Sequence, residues 1–262
     1  MPRFAAVRSR RSSDTGGCPI YRLVLWNIDL TLVDVVRVSR EAYAEAFRNV
    51  TGRPLVALPQ LAGRSDSEIF FESLALNDVP SQRAAEGAGG QDLLARYIWE
   101  LQVAFAARTD LLTRNGRLLP GAAEAAAATA ALPGVLQSVV TGSIRPNAAA
   151  KLAAFGLEEC FDLDIGGYGA DPYPKGSQLL RSVTAAQEKY RAPVTATVYI
   201  ADSSRDVEAA RIAGVRCVAV ASGRSTVSDL RAAGADVVLT DLTDTAQVAA
   251  AADRLTPVPA RS

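Results

Sequence analysis

Short apolar runs alternate with helical patterns along most of this chain, and this alternation constrains the fold more than any other feature. Tyr21–Trp26 is short and largely apolar and is followed by polar residues, as is typical of a buried parallel strand. Further strands are predicted at Val135–Val140, Phe161–Ile165, Thr197–Ile200, Val215–Val220 and Asp236–Leu239. Strands separated by helices form a parallel sheet covered on both faces. The predicted fold class is therefore α/β, with a three-layer Rossmann-like core.

The stretch between the first strand and the rest contains helical patterns and no convincing strand. Helices are predicted at Val35–Val50, Asp66–Leu76 and Gln91–Ala107. We therefore expect an all-helical insertion at residues 35–113 that sits over one edge of the sheet. The domain boundaries predicted around it are a core of residues 21–34 and 114–255, with disordered tails at 1–20 and 256–262.

Composition excludes several kinds of active site. The 262 residues include no histidine and three cysteines, so a Ser-His-Asp triad, an imidazole zinc site and a four-thiolate zinc site are impossible. A sparse, odd number of cysteines is typical of a reducing compartment, so we expect a cytoplasmic protein. Zero net charge and the absence of long apolar runs predict no nucleic-acid partner and no membrane partner.

Polar residues follow the predicted strands, where ligands bind in parallel sheets. They are Asn27 and Asp29 after the first strand, Thr141 and Gly142 after the next, Lys175 before a helix, and Asp202 and Asp206. Carboxylates that lie close together repel each other, so a divalent cation is their natural partner, and all-oxygen ligands suggest Mg²⁺. A hydroxyl, free backbone N–H groups and a lysine can hold an anion opposite the metal. Together these groups indicate phosphoryl chemistry.

These motifs resemble, in order, those of the haloacid dehalogenase (HAD) superfamily of hydrolases. Asn27-Ile28-Asp29-Leu30-Thr31 is similar to the family's first motif, DxDxT, while Thr141 and Lys175 match the second and third. The fourth motif is matched by Asp202 and Asp206, and Leu119-Pro120-Gly121 matches the return from the cap to the core. The resemblance spans about residues 21–252 and implies a helical (C1-type) cap inserted after the first strand.

The resemblance also implies roles for individual residues. Position 27 would attack phosphorus, and Asp29 would act first as an acid and then as a base. Thr141, Gly142 and Lys175 would hold the phosphoryl oxygens. Magnesium would be bound by position 27, Asp29 and Asp202, with Asp206 close to the metal or orienting Lys175. Because dehalogenase members generally lack an aspartate at the position of Asp29, its presence favours phosphate monoesters over haloacids.

The sequence departs from the family pattern at Asn27, where the family has the nucleophilic aspartate. An amide is a poor nucleophile, and one negative charge is lost from the metal site. Three interpretations remain open. Asn27 is an engineered change that traps a substrate complex, or a native residue in a protein that binds a phosphorylated ligand without turnover, or a native residue that still supports slow hydrolysis.

The sequence also predicts the environment of some side chains outside the motifs. Arg64 either reaches from the cap to a substrate carboxylate or phosphate, or lies at the surface beside the first residues of a helix. Phe70, Phe71 and Trp99 are expected in the cap core, and Arg22 is expected in solvent.

The predicted function is that of a HAD-like hydrolase, a magnesium-dependent phosphomonoesterase acting on a small phosphorylated metabolite, with activity reduced or altered by Asn27. The alternative is a catalytically inactive protein that binds a phosphorylated ligand or acts as a regulator on the same scaffold. A further alternative is a protein that serves a partner protein through its cap. The expected oligomeric state is a monomer or a homodimer.

Overall fold

The structure is a computed structural model, and it describes residues 20–80, 92–170 and 174–257. The predicted N-terminal tail lies outside these ranges except for its last residue. Of the predicted C-terminal tail, 256 and 257 are described, and Thr256 is fully buried and donates to the carbonyl of Ala252. Thr256 therefore packs against the end of the last helix, and the predicted domain boundaries stay predictions.

Five parallel strands form the central sheet, as the alternation of strands and helices predicts. In chain order, the strands of the described residues are β1 (Tyr21–Trp26), β2 (Val33–Asp34), β3 (Arg117–Leu118), β4 (Val135–Val139), β5 (Val194–Ala201), β6 (Arg216–Val220) and β7 (Val237–Leu239). The sheet order is β4-β1-β5-β6-β7, and every pairing in it is parallel. Trp26, at the end of β1, lies beside Val139 of β4 and Ile200 of β5. The residues that follow these three strands therefore meet at one edge of the sheet.

Both faces of the sheet are covered by apolar side chains. Val24 and Trp26 of β1 belong to one buried cluster, whereas Leu23 and Leu25 belong to another on the opposite face. This division follows from the alternation of side chains along a strand. The sheet is the middle of three layers, and the α/β Rossmann-like class is confirmed.

Helices account for most of the remaining described residues. They are α1 (Val36–Thr51), α2 (Asp66–Leu76), α3 (Leu93–Ala106), α4 (Leu112–Asn115), α5 (Ala122–Ala130), α6 (Arg145–Ala154), α7 (Lys175–Tyr190), α8 (Ser204–Ile212), α9 (Val227–Ala232) and α10 (Thr245–Leu255). In α1, the apolar residues spaced three or four apart are buried, as the helical pattern predicts. Because α1, α2 and α3 share one apolar cluster with a face of the sheet, this helical segment packs directly onto the core. Its treatment as a separate cap domain stays a prediction.

A short antiparallel ribbon joins the helical segment to the sheet. Val33 pairs with Leu118, and Asp34 pairs with Arg117. The Leu119 amide donates to the carbonyl of Leu32 at 2.9 Å. The chain therefore leaves the sheet and returns to it at one place, beside the residues that follow β1.

The strand predicted at Phe161–Ile165 is wrong. The chain there forms two 3₁₀ turns, Glu158–Cys160 and Leu163–Ile165. The Asp162 side chain accepts from the amide of Asp164, and this local bond favours a turn over an extended strand. Parallel pairing is restricted here to one bridge between Val140 and Gly167.

Three predicted side-chain environments also need correction. Arg22 is 2% exposed, not solvated, and donates to Asp253 and to the carbonyls of Pro133 and Thr256. Phe71 and Trp99 are 44% and 59% exposed, whereas Phe70 is buried and stacks on a tyrosine of α3. Within the described ranges, no helix is long and apolar enough to cross a membrane.

Candidate active site

The sheet edge brings Asn27 into contact with Asp29 and Asp202. Asn27 directly follows β1 and is 5% exposed. Its amide nitrogen Nδ2 donates to Asp202 Oδ1 at 2.9 Å and to the backbone carbonyl of Asp29 at 3.0 Å. Its oxygen Oδ1 accepts from Lys175 Nζ at 3.4 Å. All hydrogen-bonding groups of the Asn27 amide thus face residues predicted to belong to the site.

Asp202 is a buried carboxylate that receives two hydrogen bonds on one oxygen. Thr31 Oγ1 donates to Asp202 Oδ1 at 2.9 Å, alongside the bond from Asn27. Burial, followed by the nearby charge of Asp206, raises the pKa of Asp202 to about 7. Loss of hydration at this position therefore outweighs the bonds from Thr31 and Asn27, which act to lower that pKa.

Lys175 is held by Asp206 rather than by solvent. Lys175 Nζ pairs with Asp206 Oδ1, and Asp206 is fully buried. Asp206 also accepts hydrogen bonds from Ser203 Oγ and, at 3.1 Å, from the hydroxyl of Tyr199. This geometry suits a residue that orients Lys175 toward Asn27.

Lys151 is a further charged residue of the site, and the sequence reasoning missed it. Its Nζ donates to both carboxylate oxygens of Asp29 at 2.7 Å and to Ser143 Oγ at 2.8 Å. Lys151 is 2% exposed and lies on the buried face of α6. The available signal was its helical spacing, because Ala148 and Leu152 share that face and a lysine among them must find a partner.

Thr141 and Gly142 follow β4, but they differ in their relation to the pocket described below. Thr141 is fully buried, and its Oγ1 accepts from the amide of Ser143 at 3.2 Å. Gly142 lines the pocket, and its carbonyl accepts from the amide of Asp66 at 2.8 Å. A side chain at position 142 would meet the carbonyl of Arg64 at 1.8 Å, so this position requires a glycine.

Asp66 joins the start of α2 to the loop after β4. Its Oδ2 accepts from the amide of Ile144 at 2.8 Å, and its Oδ1 accepts from the hydroxyl of Tyr43 at 2.7 Å. Burial raises the pKa of Asp66 to about 6. The sequence predicted Asp66 as part of a helix start and gave no sign of this contact, which depends on how α2 packs.

A pocket lies between the sheet edge and the helical segment. On the sheet side it is lined by Asn27, Asp29, Leu30, Gly142, Ser143 and Lys175, and on the helical side by Val36, Ser39, Tyr43, Leu61, Ala62, Gly63, Arg64 and Ile69. The walls are thus polar on one side and mainly apolar on the other. Thr141 and Asp202 are not among the lining residues but lie directly behind them. Leu30 adopts a positive φ of 60°, a conformation that a residue with a side chain rarely takes, so the loop after β1 is locally strained.

Arg64 lines the pocket, but its charged group is directed elsewhere. Its guanidinium donates to Gln60 O at 2.6 Å and to Glu72 Oε1 at 2.9 Å. Arg64 follows Gly63. A side chain at position 63 would collide with Ser203 and Arg205, so there is room only for glycine there. Contact between Arg64 and a substrate therefore stays a prediction, and it requires the pair with Glu72 to open.

The arrangement of donor atoms does not fit the magnesium ion that the resemblance implies. The backbone oxygen of Asp29 and Asp202 Oδ1 face the amide nitrogen of Asn27, which is a donor and cannot ligate a cation. The carboxylates of Asp29 and Asp206 are paired with Lys151 and Lys175. Among the described residues, no group of three or more acidic, cysteine or histidine side chains is placed to hold a metal ion. The predicted ligand set of Asn27, Asp29, Asp202 and Asp206 is thus not assembled around a common point.

The fold is that of a Rossmann-like α/β protein whose site residues follow the strands in the order of the HAD motifs. The protein-family model for haloacid dehalogenase-like hydrolases matches residues 24–211, and a second model, for HAD-hydrolase-like proteins, matches residues 181–245. The chain belongs to the haloacid dehalogenase-like hydrolase family.

Relatives of this chain include phosphatases. A validoxylamine A 7'-phosphate phosphatase from Streptomyces hygroscopicus subsp. limoneus is 24% identical over 86% of this chain and 96% of its own length. The crystal structure of a predicted phosphoglycolate phosphatase from Haemophilus somnus is 19% identical, with a TM-score of 0.55, covering 87% of this chain and 97% of that one. A hydrolase from Pseudomonas syringae is 21% identical, with a TM-score of 0.58, covering 87% and 96%. At these identities the structures show a shared fold.

Proposed function

We propose that this chain is a phosphomonoester hydrolase of the HAD family that acts slowly on a small phosphorylated metabolite. The observation that carries the proposal is the convergence of Asn27, Asp29, Gly142 and Lys175 on one pocket. Lys175 is a cation aimed at the position-27 side chain, where a phosphoryl group would be held. The related phosphatase that matches most of this chain supports the same class of substrate.

The chemistry of Asn27 accounts for slow turnover. Its uncharged amide cannot form the phosphorylated intermediate that a carboxylate would form. Hydrolysis therefore requires water to attack phosphorus directly, with a new P–O bond formed to water, the ester P–O bond broken and a proton passed to the leaving alkoxide. Asp29 lines the pocket and could take a proton from the attacking water and pass it to the alkoxide, but both of its oxygens are bonded to Lys151. It must leave that pair before it can take up this proton.

The second candidate is a protein that binds the phosphorylated ligand without turnover. Two observations favour it: the amide at position 27 and the engagement of Asp29 by Lys151. In this case Lys175 and the pocket would retain the ligand while neither group of the first motif reacts.

The test is a steady-state assay on p-nitrophenyl phosphate, with and without Mg²⁺, of the unmodified chain and of Asn27→Asp. Asn115→Asp is the matched control, because it makes the same chemical change at an exposed residue that does not line the pocket. We expect slow but measurable hydrolysis by the unmodified chain and an increase of about 100-fold or more in Asn27→Asp, since loss of a nucleophile costs orders of magnitude in kcat. The control should match the unmodified chain.

The other outcomes select among the candidates. No turnover by the unmodified chain, with strong activity in Asn27→Asp, would leave the binding protein. Activity in neither form would count against the phosphatase assignment, and equal activity in both would show that position 27 does not attack phosphorus. Isothermal titration with inorganic phosphate measures ligand binding separately from turnover.

Several finer properties stay predictions. They are a dependence on magnesium, a cytoplasmic location, a monomeric or homodimeric state, and a lack of nucleic-acid and membrane partners. Lys175 supplies a positive charge at the phosphoryl position, and the assay with and without Mg²⁺ tests whether hydrolysis also needs a metal ion.

A further inference from the structure

We propose that the Asn27 amide takes the place of a divalent cation in this site, so that the site holds a phosphoryl anion without a metal. The family's usual arrangement requires a positive centre between the position-27 side chain and the oxygens of Asp29 and Asp202. In this chain the two hydrogens of Asn27 Nδ2 already lie there. They satisfy the Asp29 backbone oxygen at 3.0 Å and Asp202 Oδ1 at 2.9 Å.

The orientation of the amide is set by Lys175. The ammonium of Lys175 is a donor, and it lies 3.4 Å from the oxygen of the Asn27 amide. Turning the amide over, so that its oxygen could ligate a metal, would direct Nδ2 at this ammonium and leave two donors facing each other. An aspartate would have no such conflict, because one oxygen could accept from Lys175 while the other ligated the cation. Asparagine can satisfy Lys175 or a metal, but not both.

Two of the three carboxylates around Asn27 are neutralised by lysines without a dication. Asp29 is paired with Lys151, and Asp206 is paired with Lys175. Asp202 receives hydrogen bonds from both Asn27 and Thr31 on the oxygen that faces the site. The repulsion among carboxylates that would otherwise attract a cation is therefore met by two lysines and two neutral donors.

This arrangement gives Asn27 a role other than that of a disabled nucleophile. As a neutral donor, Asn27 holds the loop after β1 to Asp202 across the sheet edge. A metal ion bound by the same oxygens would connect these two segments in the same way. A phosphoryl anion would then be held by the ammonium of Lys175, which also pairs with Asp206, and not by a metal. The inference concerns the site of the proposed function, but a metal titration needs no substrate, so the two can fail separately.

The test is titration of the purified full chain with Mn²⁺, followed by the electron paramagnetic resonance signal of the free ion. We compare the unmodified chain with Asn27→Asp and with Asn115→Asp as the matched surface control. We expect Asn27→Asp to bind one Mn²⁺ at least about tenfold more tightly than either of the other two, a difference of about 1.4 kcal/mol. Magnesium should compete with this ion.

Two results would overturn the inference. One is binding of Mn²⁺ by the unmodified chain as tight as that of Asn27→Asp, which would show that the amide turns over easily. The other is failure of both forms to bind Mn²⁺, which would show that something other than the amide excludes the metal.

A second measurement uses the unmodified chain alone and serves if Asn27→Asp does not fold. Inorganic phosphate is titrated into the chain in EDTA and again in excess Mg²⁺. We expect the same affinity, within twofold, in the two buffers. Phosphate binding that requires Mg²⁺, or that is absent in EDTA, would overturn the inference.

Discussion

Lys151 is almost fully buried, with its ammonium between the carboxylate of Asp29 and the hydroxyl of Ser143. It also lies 5.5 Å from the centre of the Phe105 ring, and its charge partly offsets the rise that burial causes in the pKa of Asp66. A buried ammonium loses its hydration, so it is stabilised only by partners of this kind. Lys151 therefore depends on Asp29, and Asp29 is in turn held by Lys151.

Replacing Lys151 with methionine should destabilise the chain by about 2 kcal/mol, because the apolar stem is kept while Asp29 loses its partner. The cost is below that of a fully buried pair, since the Asp29 side chain is 31% exposed. Lys189→Met is the control, because Lys189 pairs with Asp162 and Asp164 at the surface, and there we expect a cost below about 1 kcal/mol. Urea unfolding measures both. Equal effects of the two substitutions would show that the Lys151 pair is energetically an ordinary surface pair.

Asp66 should make stability depend on pH. Burial raises its pKa from 3.8 to about 6, so the folded chain binds this proton more tightly than the unfolded chain does. The stability that Asp66 contributes is thus complete below about pH 4 and is lost as the pH rises through about 6. The loss corresponds to about 3 kcal/mol.

The measurement is the free energy of unfolding of the unmodified chain minus that of Asp66→Asn, taken at several values between pH 4 and pH 7. This difference should fall as the pH rises, because asparagine does not titrate. A difference for Asp66 that does not change with pH would contradict the buried, raised pKa.

Sequence reasoning reached the residues that stand directly after strands and missed those that depend on packing between elements. Asn27 and Asp202 could be placed at one edge because parallel strands end together. Lys151 and Asp66 reach Asp29 and Ile144 from helices whose positions a linear pattern does not give. The side-chain direction of Arg64 was likewise beyond the sequence, because it depends on Glu72 in the second turn of α2.

At the level of elements, the first turn of α2 is bonded directly to the sheet edge. Ser65 begins the helix with a capping box in which its hydroxyl and the Glu68 side chain each satisfy the other's amide. The next two amides, of Asp66 and Ser67, donate to the carbonyls of Gly142 and Gly169. These two backbone N–H groups have no partner within the helix, and carbonyl groups of the core satisfy them instead.

Gly169→Ala should weaken the contact between the start of α2 and the loops at the sheet edge. A side chain at position 169 would lie 1.8 Å from the carbonyl oxygen of Gly142 and 3.0 Å from the amide of Asp66, and both are backbone atoms that cannot turn aside. We expect a loss of about 2 to 3 kcal/mol in the free energy of unfolding.

The control for this substitution is Gly52→Ala. Gly52 has a positive φ of 71° with nothing within 4 Å of a new side chain, so only backbone strain of about 1 kcal/mol is expected. Similar losses in the two variants would mean that the contact between α2 and the loops yields easily.

The sequence predicted well those elements that have a distinct local pattern of apolar residues. The apolar run of β1 and the periodic apolar face of α1 are both clear in the sequence, and both elements appear within a residue or two of their predicted bounds. Phe161–Ile165 has the apolar character of a strand, but the Asp162 side chain satisfies the backbone locally and Phe161 packs against Trp26. Composition alone does not distinguish these two outcomes.

Across the whole molecule, Arg22 joins three distant parts of the chain. From β1 it donates to Pro133 O before β4, and to Asp253 and Thr256 O at the end of α10. A solvated arginine is the usual expectation for a charged residue at the start of a strand. Its burial depends on the last helix returning to the first strand, which no local pattern in the sequence indicates.

Arg22→Met should cost about 2 kcal/mol, because it keeps the buried stem but removes the hydrogen bonds to two carbonyls and to Asp253. Asp253→Asn is the control. Since the Asp253 side chain is 55% exposed and can be hydrated, its change should cost less than about 1 kcal/mol. Urea unfolding measures the free energy of unfolding of both variants. A larger loss at Asp253 than at Arg22 would show that the ion pair, not the carbonyl contacts, connects β1 to the end of α10.

Backbone hydrogen bonds between α2 and the sheet edge fix the outline of the pocket. They join backbone to backbone, at Asp66 to Gly142 and at Ser67 to Gly169, and do not depend on the side chains that face the ligand. Leu61 and Ala62, which are only partly buried, can therefore be exchanged for other residues while the outline of the pocket stays in place. Selection for a new metabolite can act on these side chains one at a time, with small cost to the stability of the fold.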